Sequence, residues 1–340
     1  MDRKESALGF FQKWVISLAP HYGSIEVICL KEGEHTLPAN ARVHSLGKEN
    51  ISGPAFLRRL RYVVRFYQLV WSLRKDYDAV FVHMNQEYIL LAGIFWKLFG
   101  KKVYMWRNHY EGSFLTNIAA MFCNRIFCTS KYSYTARLKK TVLMSVGVDV
   151  ESAHMDEPIL RIPRSILFLG RLDESKRPDV LIDALGILKN EGIDFTASFV
   201  GGPSKEDSDY PAVLRAQVEK LGIADRITFV GAVPNTETYR YYRSSENFVN
   251  CSRSGMLDKT IFKAAVCGCL VLATSRDFAE LVGEKYIFEE NNPEMLAKKL
   301  DIFLSATKEE RVQLHNALSE SIKKHSLPVL VENLIKQIVI

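Results

Sequence analysis

Apolar residues fall along the chain in short continuous runs separated by amphipathic stretches, and this alternation predicts the elements. Ser24–Leu30 reads as a strand and Pro54–Leu73 as a long helix with arginines set between aromatic and aliphatic residues. Ala79–His83 is a buried strand, Tyr88–Phe99 a helix, and Lys102–Trp106 and Arg125–Thr129 further strands. Such a rhythm predicts a parallel sheet covered by helices. Glu151–Pro163, rich in charge and closed by proline, reads as a linker. The pattern then restarts with strands at Ser165–Leu169, Thr196–Val200, Ile227–Val230, Asn247–Asn250 and Leu270–Ala273. The helices between and after them are Asp179–Asn190, Tyr210–Leu221, Glu237–Ser244, Lys259–Cys267, Pro293–Leu304 and Lys308–Lys324. Ser165–Leu169 reads as a strand of continuous apolar residues, as a sheet buried on both faces requires.

The expected organisation is α/β, with two doubly wound Rossmann-like domains at 1–155 and 160–324 facing each other across a cleft. A terminal segment, 325–340, carries an apolar helix from Leu327 that crosses back to the first domain. One element is missing. A doubly wound domain opens with a strand that feeds its first helix. Here that helix begins at about Leu8, and Met1–Ala7 is too short and polar to be the strand. Either the first domain lacks its innermost strand, in a chain that starts late, or another segment takes the place.

Composition narrows the class. Apolar residues make up 47% and charged residues 25% of the 340, as in a soluble globular protein. The apolar run Tyr88–Trp96 is too short to span a bilayer, and Lys13 breaks the run after Leu8 that a signal peptide would need. The six cysteines are too sparse for a disulfide scaffold, so the expectation is reduced thiols and a cytoplasmic location. The net charge of +6 is uneven: residues 1–160 hold 21 Lys/Arg and 14 Asp/Glu, or 21 − 14 = +7, and the remainder 24 and 25, or −1. The excess gathers in Arg58, Arg59, Arg61, Arg65, Arg74 and Lys75, a surface that attracts phosphates or acidic lipid head groups.

The stretch ILFLGRLDESKRPD (Ile166–Asp179) resembles the opening of the C-terminal domain in glycosyltransferase family 4, where a strand ends in Gly-Arg and a lysine follows five residues later. FVGGP (Phe199–Pro203), ITFVGAV (Ile227–Val233), SSENFVNCS (Ser244–Ser252) and KAAVCGCLVLAT (Lys263–Thr274) continue the likeness in register. In the first half SALGFFQKW, FVHMN, WRNH, FCTS and SVGVD stand in the expected order, so the resemblance covers about 320 residues. It implies a GT-B fold and transfer of a sugar from a nucleotide-sugar donor, with retention at the anomeric carbon and without a metal or other cofactor.

Breaking a bond between an anomeric carbon and a diphosphate leaves negative charge on the leaving group. Without a metal, fixed cations and helix N-termini must receive it. Arg171 and Lys176 stand just beyond the carboxyl end of a strand, where α/β sheets bind ligands. Arginine can grip two phosphate oxygens, and lysine acts as a point charge; a solvated loop with routine charges is the other reading. The resemblance places His109 opposite the donor's sugar and phosphate, where an imidazole could bond the sugar or help the acceptor. His83 is a second candidate, and either could instead be a surface or satisfied histidine. Gly9 lets the backbone approach a phosphate or sugar, or simply begins a helix. Val230 and Gly231 end the strand at the expected base pocket.

The decisive stretch is SGMLDKTIFK (Ser254–Lys263). Many family members carry two glutamates here, eight positions apart, for the donor sugar and the ribose hydroxyls; this chain has Gly255 and Lys263 at those positions. A branch of the family carries a loop like SGSLDK, in which Gly255, Asp258 and Lys259 are ordinary. Backbone amides at Met256 and Leu257 could then meet the sugar or the distal phosphate. A lysine cannot accept ribose hydroxyl protons, so Lys263 either pairs with a phosphate or marks lost activity.

Other signals fall away. Asp207-Ser-Asp209 imitates a metal-binding DxD without its context, Cys267-Gly-Cys269 has poor metal spacing and reads as packing, and Gly201-Gly202-Pro203 is no dinucleotide fingerprint. The rivals are a non-catalytic relative acting as a binding module, an epimerase lacking a convincing acidic set, and a nucleic-acid binder lacking any motif. The expected partners are a nucleotide-sugar donor, a glycan or lipid-linked acceptor, and an anionic membrane surface met by the Pro54–Leu73 helix through Arg58, Arg59, Arg61 and Arg65, with Phe66 and Trp71 near the interface.

Overall fold

A computed structural model describes residues 1–5, 9–151, 159–204, 208–255 and 257–338. The chain divides into two compact units. The first comprises Met1–Met144, Pro234–Thr236 and Pro328–Ile340, and the second Ser145–Val233 and Glu237–Leu327. The second unit thus begins ahead of the expected linker, because Val146 and Val148 are buried in its core and Val148 bridges to Ser326. Most of that linker, 152–158, lies outside the described residues, as do Asp207 and Met256.

In the first unit the elements are α1 (Phe11–Leu18), β1 (Ile25–Cys29), β2 (Ala41–Ser45), α2 (Ala55–Ser72), β3 (Ala79–His83), α3 (Glu87–Leu98), β4 (Lys102–Trp106), α4 (Phe114–Phe122), β5 (Arg125–Cys128) and β6 (Thr141–Leu143). β2, α4 and β6 escaped the sequence reading: β2 carries Arg42 and His44 among its five residues, and β6 is three residues long. All strand pairs are parallel, but they form two pieces, β1–β2 and β3–β4–β5–β6. Among the described residues no strand precedes α1. The core is built from Phe66, Leu69 and Val70 of α2, Ile89, Ala92 and Trp96 of α3, and Val103, Met105 and Ile126 of the larger sheet. Gly93 lets α3 approach α4, since a Cβ there would lie 2.6 Å from the Phe122 ring.

The second unit is a continuous doubly wound sheet. Its elements are β7 (Ile162–Leu169), α5 (Pro178–Asn190), β8 (Thr196–Val200), α6 (Tyr210–Leu221), β9 (Ile227–Gly231), α7 (Thr238–Ser244), β10 (Ser245–Asn250), α8 (Lys259–Val266), β11 (Leu270–Ala273), α9 (Arg276–Val282), α10 (Pro293–Ser305) and α11 (Lys308–Ile322). The strand order is β11-β10-β7-β8-β9, all parallel. Ile166, Leu167 and Phe168 of β7 are buried, as expected of a central strand covered on both faces. Arg161, just ahead of β7, fans its guanidinium onto the carbonyls of Ser245, Cys267 and Gly268, at 2.6, 2.6 and 3.0 Å, and so ties β7 to β10 and the end of α8. The last helix, α12 (Leu327–Gln337), begins in the second unit, and its remainder belongs to the first, where the Arg125 guanidinium bonds Gln337 Oε1. All six cysteines are free. Cys267 and Cys269 are buried, and burial raises both thiols to about 12.

Candidate functional site

In a doubly wound sheet the crevice opens outside the carboxyl ends of the strands, where the winding direction reverses. In the second unit the reversal falls between β7 and β10, since the chain runs from β7 outward through β8 and β9 and then returns to β10 on β7's other side. The loops that leave β7 and β10 are Gly170–Arg177 and Cys251–Asp258, the two stretches that the sequence singled out.

The first loop is braced from below. The amides of Gly170, Leu172 and Gly201 donate to the carbonyls of Val200, Gly202 and Gly231, at 3.0, 2.8 and 2.8 Å. Gly201 has φ +145°, and a Cβ there would lie 1.8 Å from the Gly170 carbonyl oxygen. The turns after β7 and β8 can therefore touch only through glycine. Asp173 Oδ1 accepts from the Ser175 amide (3.1 Å) and hydroxyl (2.6 Å), curling the loop back. Arg177 takes a left-handed backbone, φ +50°, just before Pro178 opens α5. Its guanidinium grips Asp179 and also bonds Asn291. Tyr210 donates its hydroxyl to Asp179 at 2.8 Å. Burial opposes ionisation of Asp179, but the Arg177 and Tyr210 hydrogen bonds outweigh it and hold the carboxyl below its ordinary range. This bracing network escaped the sequence reading; its signal was the Arg-Pro-Asp run at the start of α5.

Lys176 joins the two loops. Its ammonium is ion-paired with Asp258 and lies 3.2 Å from Ser252 Oγ. Both side chains of the pair are only 15% exposed. Asp258 also caps α8, accepting from the Thr260 amide at 3.1 Å, and Asn250 bonds Thr260 Oγ1 at 3.2 Å. Burial works against the Asp258 carboxylate, yet the Lys176 charge and the Thr260 bonds keep its pKa below the ordinary value. The sequence assigned Lys176 and Asp258 to separate jobs; the structure pairs them, because both loops leave adjacent strands on the same edge. Arg171 differs: its side chain is 52% exposed and loosely paired with Asp173 at 3.4 Å.

Lys259 and Lys263 stand one turn apart on α8. Burial, with the Lys263 charge second, pushes the Lys259 ammonium well below its ordinary value. Lys263 is buried, its Nζ 5.0 Å from the Tyr239 ring centroid, a cation–π distance. Gly255 is buried and has φ +91°, a left-handed backbone that favours glycine whatever its partners. The Leu257 side chain is part of the apolar core. Val230 and Gly231 end β9, two strands from β7 and so roughly 10 Å from it. The Gly231 carbonyl already accepts the Gly201 amide.

His109 and Gly9 belong to the first unit. His109 follows β4, half-buried, with its ring stacked on Tyr110 at 4.6 Å. Its Nδ1 accepts the Glu111 amide at 3.0 Å, which leaves Nε2 to carry the proton of the neutral ring. A Cβ on Gly9 would lie 2.6 Å from the Glu5 and 2.8 Å from the Arg3 carbonyl oxygens, so the chain's own turn requires glycine there. His83 is enclosed by the rings of Phe11, Trp14, Phe10 and Trp106, at 4.9, 5.6, 6.1 and 6.3 Å.

The two units, each α/β with parallel strands, are Rossmann-like and follow the GT-B plan, and the solved structures that resemble the chain share it. A HepE protein from Anabaena, crystallised with UDP and glucose, superimposes with a TM-score of 0.78 at 16% identity, over 99% of this chain and 97% of that one. Sucrose-phosphate synthase from Thermosynechococcus elongatus gives 0.76 at 14% identity, over 96% and 91%. Residues 163–306, which contain both loops, match the family model of glycosyl transferases group 1. In sequence the chain is similar to D-inositol 3-phosphate glycosyltransferases: 29% identical over 154 residues to that of Frankia alni, and 33% over 114 residues to one from Catenulispora acidiphila. These matches cover 42% and 32% of this chain, and only 38% and 26% of the lengths of those relatives.

Proposed function

We propose that the chain is a glycosyltransferase that binds a nucleotide-sugar donor over the β7–β10 crossover and passes the sugar to a glycan or lipid-linked acceptor. The observation that carries this reading is the Lys176 ammonium, held between the loops after β7 and β10 by Asp258 and Ser252. When the bond from the anomeric carbon to the diphosphate breaks, its electron pair stays with the phosphate oxygen. A positioned ammonium can receive that charge with little reorganisation. Arg171, half-exposed and weakly paired, is free to turn onto the same diphosphate. In this reading the β9 end at Val230 and Gly231 takes the base, and Gly255, Met256, Leu257, Asp258 and Lys259 surround the sugar and distal phosphate. The acceptor hydroxyl loses its proton as it bonds the anomeric carbon, and His109 is the group proposed to assist. The proposal includes retention and needs no metal. UDP and UDP-glucose are the first ligands to test, since the Anabaena protein was crystallised with them.

The experiment is a thermal-shift screen of nucleoside diphosphates and nucleotide sugars, followed by a transfer assay with the best donor. Stabilisation by one nucleotide that Arg171→Ala and Lys176→Ala each weaken supports the site. An unchanged response in both variants removes it, and binding without any sugar transfer or donor hydrolysis leaves the binding-module reading instead.

A second proposal concerns location: the cytoplasmic face of an anionic membrane, met through α2. Leu57, Leu60, Val64 and Trp71 of α2 and Ile94, Phe95 and Leu98 of α3 are all exposed large apolar side chains. Phe66, the aromatic expected near the interface, is buried instead and packs against Tyr88 and Trp96. α2 and α3 pack side by side, with Tyr67 donating to the Leu91 carbonyl at 2.8 Å, and between them Tyr67, Val70, Trp71, Phe95 and Phe99 line an apolar hollow of about 360 Å³. Arg58, Arg59, Arg61 and Arg65 interleave with the exposed apolar residues of α2. An apolar face fringed by cations suits an interface between water and acidic head groups. Among the described residues no helix is long and apolar enough to cross a membrane.

A further inference from the structure

Within the first unit, a second group of charged side chains gathers at the carboxyl ends of β1 and β2. The two strands are level there, with Cys29 opposite Ser45. The loops that leave them stay zipped: the Leu46 amide donates to the Cys29 carbonyl and the Lys48 amide to that of Leu30, at 2.8 and 2.9 Å. Gly47, with φ +90°, turns the chain, and its carbonyl accepts the Asn50 and Ile51 amides, each at 3.0 Å. With one side of α2 these loops enclose a pocket of about 580 Å³, within the roughly 300–1,000 Å³ of small-ligand sites. Val43, Leu46 and Ile51 give it apolar lining, and Glu32, Ser45, Glu49, Asn50, Arg61 and Arg65 a polar one.

The charges in this pocket do not answer one another. Arg61 and Arg65 stand one turn apart on α2, a spacing at which like charges repel. α2 contains no acidic residue to offset them. Among the described residues neither side chain makes a hydrogen bond or an ion pair. Glu32 and Glu49 line the same pocket, yet each is engaged elsewhere. Glu32 is bonded to His35 at 2.8 Å, and a hydrogen bond from Ser45 holds the Glu49 carboxyl below its ordinary range. His44, the remaining basic group of the lining, is bonded to Glu26 at 2.6 Å. Arg58 and Arg59 of the same helix are not part of the lining. Two cations without counter-ions therefore share a cavity with two carboxylates, and a carboxylate with one bond made keeps acceptor capacity to spare.

A ligand that satisfies both sets must carry an oxyanion and hydroxyl donors on one small frame. We infer that this pocket binds an acidic monosaccharide unit, with its carboxylate or phosphate on Arg61 and Arg65 and its ring hydroxyls on Glu32, Glu49 and Asn50. The arginine fork matches either oxyanion. A bare anion gains from the arginines but is repelled by the glutamates, and a neutral sugar leaves the guanidiniums unanswered, so the pocket discriminates against both. That the acidic unit belongs to the acceptor rests on the glycosyltransferase reading; its binding in the pocket does not.

The test is methyl NMR of the full chain, with Val43, Leu46 and Ile51 as reporters, during titration without nucleotide by glucuronate, glucose 6-phosphate, methyl glucoside and inorganic phosphate. Saturable shifts at these methyls are expected with one or both acidic sugars, and the one that binds identifies the oxyanion. Methyl glucoside and inorganic phosphate should bind about tenfold more weakly or worse, and Arg61→Ala and Arg65→Ala should each weaken the acidic sugar by about tenfold or more. Arg58→Ala combined with Arg59→Ala should leave it unchanged. Glu32→Gln combined with Glu49→Gln should weaken the acidic sugar and strengthen inorganic phosphate, a crossover that loss of folding cannot produce. No shifts with either acid, methyl glucoside binding as tightly, binding that survives Arg61→Ala and Arg65→Ala, or an equal loss in both arginine pairs overturns the inference. UDP binding is read on the same samples: if it is absent while the acidic sugar binds, the donor reading fails and the pocket stands.

Discussion

Replacing Lys176 by alanine removes one cation from two partnerships, and the two losses can be separated. The first is with the donor. A hydrogen bond to a charged group contributes about 1.5–3 kcal/mol, and 1.4 kcal/mol is a factor of ten in affinity, so UDP should bind about 10- to 100-fold more weakly. The second is with Asp258, which is 15% exposed and loses its counter-ion. Breaking a fully buried pair from one side costs about 3–5 kcal/mol. Asp258 keeps the Thr260 amide and the start of α8, so a loss of about 2 kcal/mol of stability is expected here. The sign of the pH dependence follows from the lowered carboxyl. The folded pKa lies below the unfolded value near 3.8, so the stabilisation is present above that value and fades as pH falls through the folded one. The stability gap between the variant and the parent should therefore close in acid. Asp258→Asn separates the effects, because it keeps the ammonium and removes only its partner. Calorimetric titration with UDP should find this variant binding at least as tightly as the parent. If Lys176→Ala binds UDP within about twofold of the parent while Asp258→Asn loses affinity, Lys176 is only a strut for the loop, and the charge argument is wrong.

Three further outcomes are expected. His325 is buried against Phe262, accepts the Val146 amide at 3.2 Å on Nδ1, and has its pKa lowered to about 4 by burial and Lys324. The unfolded chain takes up a proton below about 6.5 and the folded chain does not, so stability falls between there and about pH 4. Denaturant melts should show the parent losing about 2 kcal/mol between pH 7 and pH 5 and His325→Leu losing little of it; parallel curves would refute the assignment. Gly201→Ala forces a Cβ onto the Gly170 carbonyl and should cost about 2 kcal/mol or more, visible as a lowered Tm together with weakened UDP binding; a neutral substitution would show that the turns can separate. Replacing Arg58, Arg59, Arg61 and Arg65 together by alanine should abolish most sedimentation with anionic vesicles, at about 1 kcal/mol for each cation near the surface; unchanged binding would dispose of the membrane reading.

The elements themselves were written locally. Continuous apolar runs marked β3, β4, β7, β8 and β11 within a residue or so at most ends, because a strand buried on both faces has no polar side to show. Met1–Ala7 read as too short and polar for a strand ahead of α1, with another segment in its place left open, and among the described residues no strand precedes α1. The loops holding Arg171, Lys176 and Asp258 could be read from their resemblance in register. Edge elements were not legible: β6 has three residues and one partner, so its pattern is too short to stand out.

What the residues cannot announce along the chain is which distant loops become neighbours. Lys176 and Asp258 are 82 positions apart, and nothing near either names the other. They meet because β7 pairs with β10 as well as β8, a choice made by the whole sheet's packing. The pairing of Arg177 with Asn291, and the division of the first sheet into two pieces with open edges, have the same origin. Periodicity and turn chemistry act over a few residues and are fixed by the sequence alone. Strand order and ion pairing are set by contacts across the fold, and only the tertiary structure supplies them.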